Sequence, residues 1–326
     1  MKSTVNILIH ASQFPDQVRQ DLLKSLRTRK VNHKFHYDSV KQTQKWLALH
    51  QAYAPSRHDP DCAAVYDRAF VAAAQKIKTK SVYVVGLGCG GGQKDTRLLE
   101  LLKSGGRNIF YTPCDVSSAM VLVARQTALK VLPPANCFPL VCDLATAGDL
   151  PAVLAQGPKR PSPRLLTFFG MIPNFDPPMI LPKLASLVRR GDLLLFSANL
   201  APGDDYAAGV RKVLPQYDNV PTREWLLTFL LDLGIERRAG KLVFSIEPGA
   251  AGLRRIVARF HFNRAARFAV DSHLFAFRHG DSLRLFFSYR HTPARIRKLL
   301  GRHGLEVAGH WITPSAEEGV FLCHQG

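Results

Sequence analysis

Between Val82 and Leu99 an apolar run, Val82-Tyr-Val-Val-Gly86-Leu-Gly88, breaks into the glycine cluster Cys89-Gly90-Gly-Gly92. It resumes as a helical pattern, Gln93-Lys-Asp-Thr-Arg-Leu-Leu99. A strand that ends in glycines and turns into a helix lets backbone approach a nucleotide-type ligand, because glycine accepts positive φ and carries no Cβ. Two acids extend the pattern. Asn108-Ile-Phe-Tyr-Thr-Pro-Cys114 runs into Asp115, and Cys137-Phe-Pro-Leu-Val-Cys142 runs into Asp143. A carboxylate at the end of the second strand is placed to accept from a ribose diol. Glycines alone also serve packing; joined to two acidic strand ends they point to an adenosine-containing ligand.

Two ligands of that kind compete, a dinucleotide and S-adenosylmethionine. A dinucleotide turn usually stands near the start of a domain and closes as Gly-x-Gly-x-x-Gly onto its helix. Here Gly86, Gly88, Gly90 and Gly92 alternate, and a second acidic strand end follows. That arrangement suits a methyltransferase better.

The elements that must hold these residues alternate. The pattern predicts strand 82–88, helix 93–103, strand 108–114, helix 117–130, strand 137–142, strand 164–171, helix 178–190 and strand 193–197. Strands apolar on both faces and separated by helices imply a buried parallel sheet with helices on each side. Before them come a short strand, an amphipathic helix carrying Val18, Leu22, Leu23 and Leu26, and a mostly helical stretch over 34–80. After residue 200 the character changes. A helix through Tyr206, Val210 and Val213 and another at 222–233 lead into alternating strands at 255–263 and 282–290. Such half-buried strands suggest an antiparallel layer inserted into the fold. A helix at 293–303 and strands at 306–312 and 319–324 close the chain.

The chain has 326 residues, 46% of them hydrophobic, which is ample for a folded core. No apolar run nears the roughly 20 residues that span a bilayer, and Val5-Asn-Ile-Leu-Ile-His10 is too short and polar for a signal-peptide core. Six cysteines without Cys-x-x-Cys spacing, several in predicted core strands, fit a reducing cytoplasm. The net charge is +19, with twelve Arg or Lys against three Asp or Glu in 251–310. That excess admits nucleic acid as a partner, but no aromatic-studded RNA-binding strand accompanies it, and a solvated surface accounts for it equally well. None of the twelve histidines shows metal-ligand spacing, so no metal is assigned. Asp204-Asp205 follows Pro202-Gly203 and reads as a helix cap.

Taken in order, the motifs resemble those of the histidine-specific, S-adenosylmethionine-dependent Nα-methyltransferases of ergothioneine biosynthesis. The likeness runs through Lys34-Phe-His-Tyr-Asp38, Tyr53-Ala-Pro-Ser-Arg57, Lys94-Asp-Thr-Arg-Leu-Leu99 and Cys114-Asp-Val-Ser117. It continues through Cys142-Asp-Leu144, Phe168-Phe-Gly-Met-Ile-Pro-Asn174, Tyr217-Asp218, Phe287-Ser-Tyr-Arg290 and Trp311. The resemblance implies an α/β fold, a Rossmann-like class I methyltransferase seven-stranded sheet with an inserted α+β substrate-binding domain. The core would span 61–200 and 291–326, and the substrate domain 1–60 and 201–290. It implies a monomer, a small-molecule amine as acceptor, S-adenosylhomocysteine as product, and no membrane.

For the donor the resemblance implies Gly86, Gly88 and Gly90 under the methionine and ribose, Asp115 on the ribose hydroxyls and Asp143 near the adenine amine. Lys94, Val116, Leu144, Phe169 and Gly170 complete that set. For the acceptor it implies Asn174 and Tyr217 on the amino and carboxylate groups, Tyr53 lining the pocket and Ser288 facing the side chain. One position departs. Where the family carries a glutamate that binds the imidazole, this chain has Phe286. Strict alternation puts Leu283, Leu285, Phe287 and Tyr289 on one strand face and Arg284, Phe286, Ser288 and Arg290 on the other. Losing a charge-assisted hydrogen bond costs on the order of 1.5–3 kcal/mol, roughly ten- to a hundredfold against histidine. The expectation is therefore an N-methyltransferase acting on an amino acid or amino-acid-like amine other than histidine. The alternatives are a nucleic-acid or carrier-bound acceptor, or a binding homologue without activity.

Overall fold

The computed structural model describes residues 4–53, 58–158 and 162–326. The N-terminal part gives β1 (Leu8–Ile9), α1 (Pro15–Thr28), α2 (Val40–Tyr53) and α3 (Pro60–Lys76). The alternating part follows: β2 (Ser81–Leu87), α4 (Gln93–Ser104), β3 (Asn108–Asp115), α5 (Ser118–Ala128), β4 (Leu140–Val141), α6 (Leu150–Leu154), β5 (Arg164–Phe168), α7 (Pro177–Leu187) and β6 (Leu193–Asn199). Next come α8 (Tyr206–Val213), α9 (Val220–Asp232), β7 (Gly240–Pro248), β8 (Arg254–Phe262), β9 (Ala266–Val270), β10 (His273–Phe277) and β11 (Ser282–Arg290). The chain closes with α10 (Pro293–Gly301), β12 (Leu305–Ile312) and β13 (Glu318–Gln325).

The main sheet has the order β1-β4-β3-β2-β5-β6-β13-β12, parallel from β1 to β6 and antiparallel at β13 and β12. This is the Rossmann-like sheet expected, with eight strands rather than seven. The extra one is β1, whose Leu8 and Ile9 pair with Leu140 and Val141 at the sheet edge. Alternation along β2 divides the core. Val82 and Val84 join the layer of Phe70, Leu98 and Leu99, while Tyr83, Val85 and Leu87 join Leu166, Ile180 and Phe196 on the other side. Among the described residues no helix is long and apolar enough to cross a membrane.

Several boundaries move for local reasons. The strand expected at 137–142 shrinks to two residues, because a 3-10 turn occupies Pro134–Asn136 and Pro139 has no N–H to give a ladder. The strand expected at 164–171 stops at Phe168, where the left-handed Gly170 turns the chain. The hairpin of β9 and β10 carried no expectation.

The inserted part forms a three-stranded sheet in the order β11-β8-β7. Residues 29–31 run along the free edge of β11: Arg284 N–H donates to Arg29 O and Val31 N–H to Arg284 O. One apolar cluster then joins Leu26, Val31 and Phe35 to Trp225, Phe229, Phe260 and Phe286.

The alternation expected along β11 fails. The register with β8 slips between Arg284 and Phe286, which makes Leu285 an extra, bulged residue. Leu283, Leu285 and Phe286 consequently share one apolar cluster, while Phe287 and Tyr289 fall in another. Phe286 is a member of that packed cluster, not an isolated ring on a polar face. The Leu285 carbonyl is taken by the buried His36, whose Nε2 lies 2.7 Å away.

Candidate active site

A cleft opens outside the carboxyl ends of β2, β3, β4 and β5, at the β2/β5 boundary where the strand order reverses. Its cavity measures about 230 Å³.

The turn after β2 forms its floor. Gly88 and Gly90 take φ of 67° and 52°, a region that side chains rarely adopt. Asp115 pins this turn from the end of β3: one carboxylate oxygen accepts from Gly90 N–H and the other from Ser117 N–H, both at 3.0 Å. Burial pushes Asp115 up against these hydrogen bonds, which work in the opposite direction. A Cβ on Gly88 would lie 2.6 Å from the Met171 Sδ, and one on Gly90 3.1 Å from the Trp46 ring. Backbone, methionine and indole therefore enclose the space closely.

Gly86 has a different task from the one expected. It does not line the cleft; a Cβ there would overlap the Asp95 carboxylate, so its smallness makes room for that acid. Asp95 accepts from Tyr111 Oη and Thr167 Oγ1, each at 2.7 Å, and burial pushes it up to about 6.

Asp143 stands past β4, 4% exposed, on the cleft wall. Its Oδ1 accepts from Ala145 N–H at 2.8 Å, but its Oδ2 has no hydrogen-bond partner. Behind it the buried Lys34 ammonium lies 2.6 Å from Asp21 and 3.6 Å from Asp143. Val116, Leu144, Phe169 and Gly170 also line the cleft. Lys94 does too, with its Nζ donating to Tyr66 Oη at 2.6 Å and standing 3.6 Å from Glu318.

The residues expected around an acceptor divide. Asn174 lines the cleft and is fixed by its Nδ2, which donates to Phe287 O at 2.9 Å. Tyr217 and Ser288 are brought together, 2.9 Å between hydroxyls, but neither lines the cleft. The Tyr217 oxygen also receives N–H groups from Arg290 at 3.0 Å and Asn199 at 3.3 Å. Arg290 is buried and makes no ion pair among the described residues. Phe286 lies behind the cleft, 6.3 Å from the Tyr217 ring and 5.9 Å from Trp225. Tyr53 is 55% exposed at the end of α2 and does not line the cleft; residues 54–57 of its motif lie outside the described residues.

The side of the cleft expected of Tyr53 is made instead by Tyr37, Trp46 and His50. The last two stack at 4.8 Å one helical turn apart on α2. The i, i+4 spacing of Trp46 and His50 was the available signal. Met171, inside the motif Phe168–Asn174, and His33, just before Lys34, also line the cleft, and sequence reasoning gave neither a role.

A family model described as histidine-specific methyltransferase, SAM-dependent, matches residues 18–217. No curated protein sequence matches the chain. Among solved structures it is similar to an S-adenosylmethionine-dependent methyltransferase from Clostridium acetobutylicum ATCC 824, at 13% identity and TM-score 0.46, over 87% of this chain and 98% of that one. It is similar to the magnesium protoporphyrin IX methyltransferase of Synechocystis PCC 6803, at 16% identity and TM-score 0.41, over 96% of this chain and all of that one. The third is the N,N-8-amino-8-demethyl-D-riboflavin dimethyltransferase of Streptomyces davawensis, at 12% identity and TM-score 0.46, over 96% and 70%.

Proposed function

Because the chain belongs to the family of histidine-specific, S-adenosylmethionine-dependent methyltransferases, we propose that it methylates the amine of an amino acid or amino-acid-like small molecule other than histidine. The observation that carries this reading is that Asn174 lines the same cleft as the pinned glycine turn and the Asp143 carboxylate.

The residues present fit the donor. Asp143 Oδ2 offers an unmet acceptor for the adenine amine, Asp115 keeps lone pairs beyond its two N–H bonds for ribose hydroxyls, and Gly88 and Gly90 put bare backbone beneath it. Val116, Leu144, Phe169 and Gly170 would pack around it, and Lys94 would face its carboxylate. When bound, S-adenosylmethionine supplies a methyl group on a sulfonium.

The chain's own part is positional. An amine must be uncharged and aligned at near-attack distance before it can accept the methyl. Apolar walls favour the neutral form by making an ammonium costly, and Asn174 orients that amine. Burial and the charge of Asp115 push the Tyr37 phenol up, so it stays protonated and serves as a hydrogen-bond donor, not a base. The ammonium proton therefore leaves to water before the amine settles. The Tyr217, Ser288 and Arg290 cluster supplies positive potential toward the acceptor carboxylate, because Arg290 has no carboxylate of its own. Phe286 stands where the family has a glutamate and lies packed behind the cleft, so that position offers an imidazole no acceptor.

The test is incubation with labelled S-adenosylmethionine and a panel of amino acids and aromatic amines, followed by mass spectrometry of the products. Methylation of one or more amines, with histidine turned over at least tenfold less efficiently, is expected. Histidine as the best acceptor would overturn the reading.

A further inference from the structure

His33 opens the 3-10 turn His33–His36 and lines the cleft beside Asn32 and Asn174. Two rings of β11 fix its orientation: the Phe286 centroid lies 5.1 Å away and the Phe287 centroid 4.6 Å away, edge-on. Neither of its ring nitrogens has a hydrogen-bond partner among the described residues. Burial, with His36 and Arg284 close by, pushes its pKa well below the ordinary value, so at neutral pH the ring is uncharged, with one N–H and one lone pair. Buried polar groups in folded proteins are nearly always paired. An imidazole with both nitrogens unmet, in the wall of a ligand cleft, is a hydrogen-bonding position waiting for a ligand.

We propose that His33 is an acceptor-specificity residue, pairing with an N–H or O–H on the far end of the acceptor, and that the acceptor is a phenol- or indole-bearing amino acid or amine. The inference rests on the amine-methyltransferase reading above. The shape argument favours a ring, because the cleft that His33 lines also carries the aromatic side chains of Tyr37, Trp46 and Phe175, which prefer aromatic neighbours. The polarity argument favours a ring with one polar atom. A phenol or an indole presents a single group to His33, whereas an imidazole carries two nitrogens and leaves the second against the aromatic wall. A site that hydrogen-bonds a substrate O–H or N–H discriminates strongly against the analogue lacking it, because its own polar atom is then left unpaired.

The experiment compares two pairs of acceptors that differ only in the donor: tyrosine with phenylalanine, and tryptophan with 3-benzothienylalanine. Affinity in the presence of S-adenosylhomocysteine and kcat/KM are measured on wild type, His33→Phe and His33→Gln. Wild type is expected to prefer the donor-bearing member of at least one pair by tenfold or more. His33→Phe brings that ratio to within about threefold of unity while keeping turnover of the donor-free analogue, and His33→Gln, which keeps a hydrogen-bonding group, retains the preference. Equal handling of both pairs by wild type, or a preference that survives in His33→Phe, overturns the inference while leaving the methyltransferase reading intact. If no acceptor in either pair is bound or methylated, this inference is overturned, and the wider amine panel described above decides the methyltransferase reading separately.

Discussion

A methyl group added at Gly88 meets two penalties at once. Its φ of 67° costs an L-residue about 1–2 kcal/mol, and the new Cβ would press on Met171 from 2.6 Å. The thioether can yield only into the cleft. Gly88→Ala is therefore expected to weaken S-adenosylhomocysteine binding tenfold or more by calorimetric titration, while the unliganded protein loses only a few degrees of melting temperature. Asn174→Ala separates the two ligands the other way. It is expected to lower kcat/KM by ten- to a hundredfold, the equivalent of about 1.5–3 kcal/mol, with S-adenosylhomocysteine affinity unchanged. Equal losses of both would remove Asn174 from the acceptor side. Which residues reach the cleft was only partly legible. Asp115, Asp143 and Asn174 stand at strand ends or in a motif, and the sequence placed them there. Gly86 was misread because a glycine that spares room for Asp95 looks the same as one that spares room for a ligand. That Tyr217 stands off the cleft was not legible, because its hydroxyl is engaged by Arg290 and Asn199, neither of which is near it in sequence.

At the scale of elements, β2, β3, β5 and β6 were legible because their two apolar faces leave no other placement. What was not legible is a bulge. Strict alternation through Leu285 assigns every residue beyond it to the wrong side, and no local feature of Arg284-Leu-Phe286 announces the extra residue. The bulge leaves a carbonyl that His36 satisfies from another segment, deep in the core, where burial keeps its ring neutral against that hydrogen bond. Burial pushes His36 and His291 down to about 4. An imidazole at about 4 when folded and about 6.5 when unfolded binds fewer protons in the folded state across that interval, so stability falls as pH drops from about 6.5 toward 4. Asp95, raised to about 6, works the other way: it adds stability as pH falls from about 6 to 3.8. His33, also depressed by burial, joins His36 and His291, and the three imidazoles outweigh Asp95 and Asp115. The urea midpoint is expected to fall between pH 7 and pH 5, and His36→Gln should make that slope shallower.

Over the whole molecule, the charge of +19 raises the question of a polyanionic partner. Many of the arginines are already answered by acids: Arg259 by Glu247, Arg29 by Asp281, Arg237 by Glu224 and Arg97 by Asp67. A small acceptor held in a cleft owes little to that surface. Turnover is expected to change less than threefold between 50 and 200 mM salt, whereas a nucleic-acid substrate held by 6–10 phosphate contacts would lose about 10³–10⁵ in affinity. Steady-state kinetics across that range checks it. Lys34 carries the last consequence. One ammonium serves two masters, Asp21 on the first helix and Asp143 on the cleft wall, so anything that engages Asp143 also reaches the anchorage of α1. Limited trypsin digestion at Lys24, Arg27 or Arg29 should thus slow when S-adenosylhomocysteine is added, making the amino-terminal helix a reporter of occupancy it never touches.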